Sequence, residues 1–418
     1  MSKFYLKSMG CKSNQYEGQI VCEKLLEAGH SEVKNLKDAD FYILNSCSVT
    51  HKSDNEAMYL LRHAHSLGIK TILTGCIAQI EKEKLLKENF IDYVFGNEDK
   101  FYLAEHLKNE ETCVVKDLMN SSDFCNVTLN DTSKTRISLK IQDGCDNRCA
   151  YCIIPFGRGK SRSADEDFII NEINRYSEIG YKEVVFTGIH IGLWGNDFDE
   201  RKNLLYLLRK IEEQTSIHRY RLGSLNPHEI TPDLLDFLQT SEKFCPHFHL
   251  SLQSACNRTL KRMSRHYTVE YYLEQIEDIV SRFQNPFLGS DIIAGFVGET
   301  EEDFNITVEN LKKSKLSKIH TFPYSIRKGT EAEKMEGHLA DKVKEERANI
   351  IKKISSDKFS EFINNNIGTV QEVLIEKHLD KNTGKYKGVT RNYINVILDE
   401  GEFNSLKKVT LTKNIIKF

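Results

Sequence analysis

The chain has no apolar run long enough to span a bilayer and no amino-terminal secretory signal. It also has no marked excess of charge, with 58 Lys and Arg against 61 Asp and Glu in 418 residues, a net charge of −3. A spanning helix needs roughly twenty consecutive apolar residues. The first two shortages therefore argue against a membrane or exported protein and for a cytoplasmic one, with no membrane partner. Balanced charge means that any nucleic-acid contact must rest on a local basic footprint rather than on the whole surface. The length suits two to three domains with substantial cores. What the chain does have is cysteine, eleven in all, an odd number. In a reducing compartment such thiols favour metals or catalysis over disulfides.

Three of them fall within eight residues, in Gly144-Cys145-Asp146-Asn147-Arg148-Cys149-Ala150-Tyr151-Cys152. These gaps are too short for a framework of mutual disulfides, but three thiolates on one tight loop can converge on one inorganic centre. A 4Fe–4S cubane ordinarily takes four protein ligands. Three local ones leave one iron open, and an open coordination position is where chemistry happens. A zinc loop or three unrelated buried thiols are the competing readings. Zinc sites usually come as two CxxC-type or Cys/His pairs, and no second pair lies nearby.

A second trio is spread out. Phe4-Tyr5-Leu6-Lys7-Ser8-Met9-Gly10 runs into Cys11, Phe41-Tyr42-Ile43-Leu44-Asn45-Ser46 into Cys47, and Thr71-Ile72-Leu73-Thr74-Gly75 into Cys76. Each is a short apolar, β-branched or aromatic run, and helical patterns lie between them. Strands alternating with helices predict an open parallel α/β domain over residues 1–125. The three thiols then stand at the carboxyl ends of strands, where open α/β sheets bind ligands. Free Cys is also a common buried residue, but three at the same offset are better explained by a shared cluster. Cys22, Cys113, Cys125, Cys245 and Cys256 follow no spacing and read as core or incidental thiols.

Over 131–363 the pattern is a repeated strand–helix unit. Strands are expected at 136–141, 183–187, 219–225, 248–252, 289–294 and 318–323, and amphipathic helices at 167–179, 204–213, 269–283 and 301–311. Six βα repeats predict a partial (β/α)6 barrel with ligands at the carboxyl ends of its strands, where the first strand delivers the CxxxCxxC loop. A charged helix from Asp341 to about Phe362 reads as a connector. The segment 364–418 then alternates apolar and polar residues between turns, which predicts a small all-β barrel of about fifty residues. It holds nine Lys and Arg against six Asp and Glu. Lys385, Lys387 and Arg391 around a predicted turn are candidate phosphate contacts. So are Arg158, Lys160 and Arg162 beside the cysteine loop, and Arg258, Lys261, Arg262 and Arg265, although a solvated helix face would explain this last group equally.

The residues around both trios carry a resemblance. Lys140-Ile141-Gln142-Asp143-Gly144 before the CxxxCxxC, and Ile153-Ile154-Pro155-Phe156-Gly157-Arg158-Gly159 after it, resemble the radical S-adenosylmethionine enzymes, in particular the methylthiotransferase family. Gly10-Cys11-Lys12-Ser13-Asn14-Gln15-Tyr16-Glu17, Asn45-Ser46-Cys47 and Thr74-Gly75-Cys76 resemble that family's amino-terminal domain. The resemblance spans nearly the whole chain. It implies that Cys145, Cys149 and Cys152 hold a catalytic 4Fe–4S cluster whose open iron chelates S-adenosylmethionine, cleaved to a 5′-deoxyadenosyl radical. It implies a second 4Fe–4S cluster on Cys11, Cys47 and Cys76, presenting the sulfur that ends in product. Tyr151, Thr187, Gly188, Ser224 and Gln253 are its implied cofactor contacts. The tail resembles the TRAM domain, a tRNA-binding β-barrel.

The Cys-Lys-x-Asn-Gln-Tyr-Glu pattern resembles the branch that methylthiolates threonylcarbamoyl-adenosine next to the tRNA anticodon. The implied partners are the anticodon stem-loop and a reductant protein such as flavodoxin or ferredoxin, with the enzyme a monomer. Isopentenyl-adenosine in tRNA is the alternative substrate. A non-catalytic iron–sulfur RNA-binding protein is the alternative class, against which the full CxxxCxxC and its barrel argue. Two departures from the family pattern, Ser251 and Ala255 around Gln253 and Val297 between Phe296 and Gly298, remove neither a ligand nor a charge, and the resemblance therefore does not extend to the precise geometry of those loops.

Overall fold

The computed structural model describes residues 1–130 and 134–417. The expected start of the central segment at 131 and the last residue of the tail, 418, lie outside the described residues. Six parallel strands form the amino-terminal sheet, in the order Ser31–Glu32, Lys3–Ser8, Phe41–Ser46, Lys70–Gly75, Tyr93–Phe95, Cys113–Val114. The two central strands are buried along almost their whole length, as expected of a parallel sheet covered on both faces. Helix Lys12–Glu27 sets Tyr16, Ile20, Val21 and Leu25 against the face carrying Ile43 and Ile72. Helix His51–Ser66, capped by Thr50 Oγ1, sets Ala57, Leu61 and Ala64 against Tyr42, Leu44 and Leu73 on the other face.

The first of these cores continues without a break into the central domain through Ile137, Leu139 and Ile141. That domain is a sequential run of parallel strands: Arg136–Lys140, Glu183–Thr187, Arg219–Arg221, Ser224–Leu225, His247–Leu250, Phe287–Ala294 and Lys318–Pro323. Among the described residues the first and last strands do not pair, so the barrel is partial and open at one side. The strand expected over 219–225 is broken between Arg221 and Ser224. A side chain at Gly223 would meet the carbonyl of Phe186 at 3.0 Å, and the backbone turns there from one half of the barrel to the other. Barrel helices start on Asp165, Asn203, Thr231, Thr268 and Thr300, whose side-chain oxygens accept backbone N–H bonds, satisfying donors that a helix start leaves orphaned.

The connector helix runs from Asp341 to Asn366. Ser355 on it accepts from Ile319 N and donates to Ile319 O, each at 2.9 Å. It therefore covers the exposed edge of the last barrel strand, a protection that open edges need. The tail is an antiparallel sheet in the order Asn395–Leu398, Tyr386–Thr390, Val370–Leu379, Leu406–Thr410. The chain end returns to the first of these strands through Ile397 N to Ile415 O and Lys417 N to Asn395 O, which curls the sheet towards closure.

Candidate active site

The CxxxCxxC loop is fixed at its entry by Gln142. The buried amide of that residue donates to Asp143 O, Gly144 O and Ser161 Oγ at 2.8–2.9 Å and accepts from Ile189 N and His190 N at 3.1 and 2.6 Å. One side chain thus ties the loop to its own exit and to the end of strand Glu183–Thr187. Gly144, at φ +71°, leaves no room for a side chain, since a Cβ would lie 1.8 Å from Lys160 O. Cys145 Sγ is 3.7 Å from His190 Nδ1, and Arg265 Nη1 donates to Cys149 Sγ at 3.2 Å. His190 also pairs with Glu229. Burial alone would lower the His190 pKa, but its bonds to Cys145 and Glu229 outweigh burial and raise it to about 9. Burial pushes the Cys152 thiol up to about 12.

The second trio lies at the ends of three adjacent strands. Cys47 and Cys76 directly follow theirs, and Cys11 stands three positions after Ser8. The motif residues around it each have a task. Asn14 Nδ2 donates to Met9 O, Asn45 O and Ser46 O at 2.7–3.1 Å, knotting the Cys11 loop to the Cys47 loop. Ser46 Oγ donates to Thr74 O at 2.6 Å and accepts from Ile77 N at 3.2 Å, which ties Cys47 to Cys76. Gly75, at φ +90°, would place a Cβ 2.4 Å from Ser46 O. Cys47 and Cys76 are buried and Cys11 is exposed. Burial raises Cys47 to about 11, and the neighbouring Cys76 and Cys11 add to the rise.

All eleven cysteines are free, and among the described residues no three Cys, His, Asp or Glu side chains converge on a point fit for one metal ion. Each trio supplies three thiols and no partner Cys or His pair, and the CxxxCxxC trio has His190 and Arg265 against its sulfurs, a donor set of the type that iron–sulfur clusters take.

The second trio, at Cys76, packs against the exit of the CxxxCxxC loop. Helix Ile154–Arg158 begins just after Cys152, and its Gly157 would bring a Cβ within 3.5 Å of Cys76 Cβ. Asn97 Nδ2 donates to Gly157 O at 2.6 Å and lies 3.8 Å from Cys76 Sγ, touching both sides of the junction. Beneath it lies a buried ion network. Glu17 pairs with Lys100 at 2.5 Å, with Lys140 at 2.8 Å and with Arg158, while Asp143 takes Lys140, Arg158 and Arg162 at 3.1–3.8 Å. Burial would raise the Glu17 carboxyl, but Arg158, Lys100 and Lys140 hold it well below its ordinary value.

This network corrects the expectation that Arg158 and Arg162 face a phosphate backbone. Both are buried, at 1 % and 2 % exposure, whereas Lys160 between them is exposed. Arg265 likewise belongs to the cysteine loop. Arg258 pairs with Asp303 at 2.7 Å, and Arg262 donates to Val297 O and Glu336 O. Sequence reasoning missed Glu229, Asn97 and His190 as site residues, took Arg265 for a phosphate contact and quoted Glu17 only as part of a motif. His190, three residues past a strand end, carried a local signal.

Of the residues expected to touch cofactor, Thr187 and Gly188 lie at the carboxyl end of strand Glu183–Thr187, Gln253 follows strand His247–Leu250 and Tyr151 is in the loop, whereas Ser224 opens the short strand Ser224–Leu225. Thr187 Oγ1 lies 3.2 Å from Ser13 Oγ. A side chain at Gly188 would meet Gln142 O at 2.8 Å. Ser224 Oγ lies 2.9 Å from His249 Nδ1. Gln253 stands at φ +70° and donates its N–H to Asp291 O at 2.8 Å. A non-glycine residue in that left-handed region costs energy that the fold must offset, which is common at ligand sites. Tyr151 packs edge-on against Phe296.

The tail cations are largely engaged. Lys385 pairs with Asp399 at 2.7 Å and Lys387 with Glu376 at 2.8 Å. Arg391 donates to Glu242 O and Phe244 O. From below, Arg219 and Arg221 share Glu183 and donate to Val389 O, Thr390 O and Arg391 O. Arg391 is thus part of a joint between tail and barrel, and the Tyr393 ring lies tilted against His247 within it, their centres 4.6 Å apart.

Comparison with known proteins agrees with this arrangement. Residues 3–96 match the uncharacterized protein family UPF0004, and residues 139–311 match the radical SAM superfamily. A threonylcarbamoyladenosine tRNA methylthiotransferase MtaB of Aquifex aeolicus is 34 % identical over 94 % of this chain and 96 % of its own. The protein of that name in Bacillus subtilis is 31 % identical over 99 % and 94 %. A tRNA-2-methylthio-N(6)-dimethylallyladenosine synthase of Thermodesulfovibrio yellowstonii is 34 % identical over 89 % and 87 %. Among solved structures, the radical S-adenosylmethionine methyltransferase TsrM of Kitasatospora setae superposes with a TM-score of 0.54, at 13 % identity over 77 % of this chain and 75 % of that one. The fold is that of a radical S-adenosylmethionine enzyme, and the chain belongs to the methylthiotransferase family.

Proposed function

We propose that the chain methylthiolates threonylcarbamoyl-adenosine next to the tRNA anticodon, replacing an adenine C–H with C–S–CH3. Cys145, Cys149 and Cys152 would hold one 4Fe–4S cluster with S-adenosylmethionine on its open iron, and Cys11, Cys47 and Cys76 a second. When bound, these groups supply the radical, the sulfur and the methyl group. The observation that carries the reading is the packing of Cys76, through Asn97 and Gly157, against the helix that leaves the CxxxCxxC loop. With the Cys11 loop held to Thr187 at a barrel strand end and Cys76 held to the exit of the CxxxCxxC loop, a base held between the two trios would be within reach of both. The threonylcarbamoyl branch is favoured by the Aquifex and Bacillus relatives and by the Cys11–Glu17 pattern. The dimethylallyl-type relatives, of similar identity, keep the isopentenyl substrate as the second reading.

The protein's own tasks are positional. Gln142 and Gly144 set the loop, and Arg265 and His190 place positive charge beside thiolates. Tyr151, Thr187, Gly188, Ser224 and Gln253 line the mouth where cofactor would lie. Residues 1–125, 131–363 and 364–418 would form the sulfur-handling, radical and tRNA-contacting segments, with a flavodoxin- or ferredoxin-type reductant and a monomeric enzyme in the cytoplasm. Mass spectrometry of tRNA nucleosides from a deletion strain tests this. Loss of the methylthio form of threonylcarbamoyl-adenosine is expected, and loss of the isopentenyl form alone would overturn the substrate.

A further inference from the structure

Lys12 stands between Cys11 and Ser13, and Ser13 touches Thr187 at the end of a barrel strand. Its place is therefore over the barrel mouth. Lys12 is the first residue of helix Lys12–Glu27, which has no acidic residue in its first turn and no side-chain cap. A cation there opposes the helix dipole and works against stability. Lys12 is exposed, and among the described residues it forms no ion pair with a carboxylate. Its charge reaches neighbouring groups. Burial lowers the pKa of His320 on the last barrel strand; Asp291 opposes this, and His249, Lys318 and, least, Lys12 add to it. Burial would raise that of Tyr393, but Lys12, Arg136 and Arg221 outweigh it.

The lumen below is polar and open at one side. Ser224 Oγ meets His249 Nδ1 at 2.9 Å, His249 Nε2 lies 3.3 Å from Asp291 Oδ1, and the His249 and His320 rings are 5.8 Å apart. Asp291 is thus engaged by His249, and Lys12 remains the cation without an acidic partner beside the sulfur-handling thiols. A cation in a walled cleft exerts its field further than one on open surface.

We propose that Lys12 is a specificity-determining residue that binds the carboxylate of the modified base, so that the enzyme takes an anionic adenine substituent in preference to an apolar one. This rests on the substrate reading above. The threonylcarbamoyl group ends in a carboxylate, whereas an isopentenyl group offers nothing to an ammonium and would leave Lys12 desolvated without a partner. Discrimination by a lost charge-assisted bond amounts to about tenfold to a hundredfold.

The test uses the full-length reconstituted protein with three anticodon stem-loops: one bearing threonylcarbamoyl-adenosine, one its carboxylate methyl ester, and one isopentenyl-adenosine. Affinity and methylthiolation are measured for the native enzyme, Lys12→Gln and Lys12→Arg. The native enzyme should prefer acid over ester by about tenfold or more in both measures. Lys12→Gln should lose that preference and Lys12→Arg should keep most of it. 5′-Deoxyadenosine release without RNA should be unchanged in both variants. If Lys12→Gln retains the acid-over-ester preference, the proposal is wrong. If Lys12→Gln instead loses 5′-deoxyadenosine release without RNA, the carboxylate bound by Lys12 belongs to S-adenosylmethionine and the proposal is overturned. If the native enzyme modifies only the isopentenyl stem-loop, the substrate reading itself has failed, a result distinct from a failure at Lys12.

Discussion

Ser13 and Thr187, 174 positions apart in the chain, stand hydroxyl to hydroxyl at 3.2 Å. Ser13 is two residues past Cys11 and Thr187 ends the second barrel strand, so this contact fastens the Cys11 loop to the carboxyl end of that strand. Asn97, bonded to Gly157 O and 3.8 Å from Cys76 Sγ, makes a second tie between the two domains.

Two separated trios predict two separable clusters. Changing Cys145, Cys149 and Cys152 together to Ala should lower iron after anaerobic reconstitution from about eight to about four atoms per chain. A variant that binds no iron would mean that the six thiols serve one centre.

Arg265 should tune the catalytic cluster and leave tRNA binding alone. Replacing it with Gln removes a positive charge 3.2 Å from Cys149 Sγ, which should make the cluster harder to reduce. Potentiometric titration followed by electron paramagnetic resonance measures this. The salt dependence of tRNA affinity should stay as in the native enzyme. A shallower salt slope with an unchanged potential would return Arg265 to the phosphate-binding residues.

Glu183 holds the joint under the tail. Burial would raise its carboxyl, but Arg221 and Arg219 bring it from an ordinary 4.5 down to about 2. The unfolded chain then binds the proton more readily between those values. Its stabilisation is full above about pH 4.5 and is lost as pH falls towards 2. Glu183→Gln should cost about 3 kcal/mol at neutral pH, because two buried guanidinium groups lose their carboxylate. The gap in urea midpoint between the two proteins should narrow below pH 4.5, and a gap independent of pH would contradict the assignment.

The same joint changes what removal of the tail does. Truncation from residue 364 would uncover Arg219, Arg221 and the apolar surface of Phe287 and Phe362. The truncated protein should lose thermal stability and 5′-deoxyadenosine release together with tRNA affinity. A truncation that melts like the full chain and cleaves normally would show the tail to be an independent RNA-binding module.

Much of this was legible in the sequence because it is local. A strand ending in Asn45-Ser46-Cys47 or Thr74-Gly75-Cys76 shows its register and its turn within a few residues, and the βα rhythm of the barrel repeats in the same way. Arg158 and Arg265 were not legible, since a positive charge in the sequence does not say whether a carboxylate or a thiol waits for it. Glu17, the partner of Arg158, is 141 positions away, and Arg219 reaches Val389 across 170. The split of the strand at 222–223 was hidden for the same reason, because it answers to the Phe186 carbonyl on a neighbouring strand.

The central claim is that the two cysteine trios do different work at one mouth. It is tested most directly by measuring 5′-deoxyadenosine and methylthiolated tRNA side by side for the native enzyme, Cys47→Ala and Cys145→Ala. Cys47→Ala should keep cleavage of S-adenosylmethionine and lose the methylthio product, and Cys145→Ala should lose both. Equal loss of cleavage in the two variants would show that the amino-terminal thiols are not a separate sulfur-handling site.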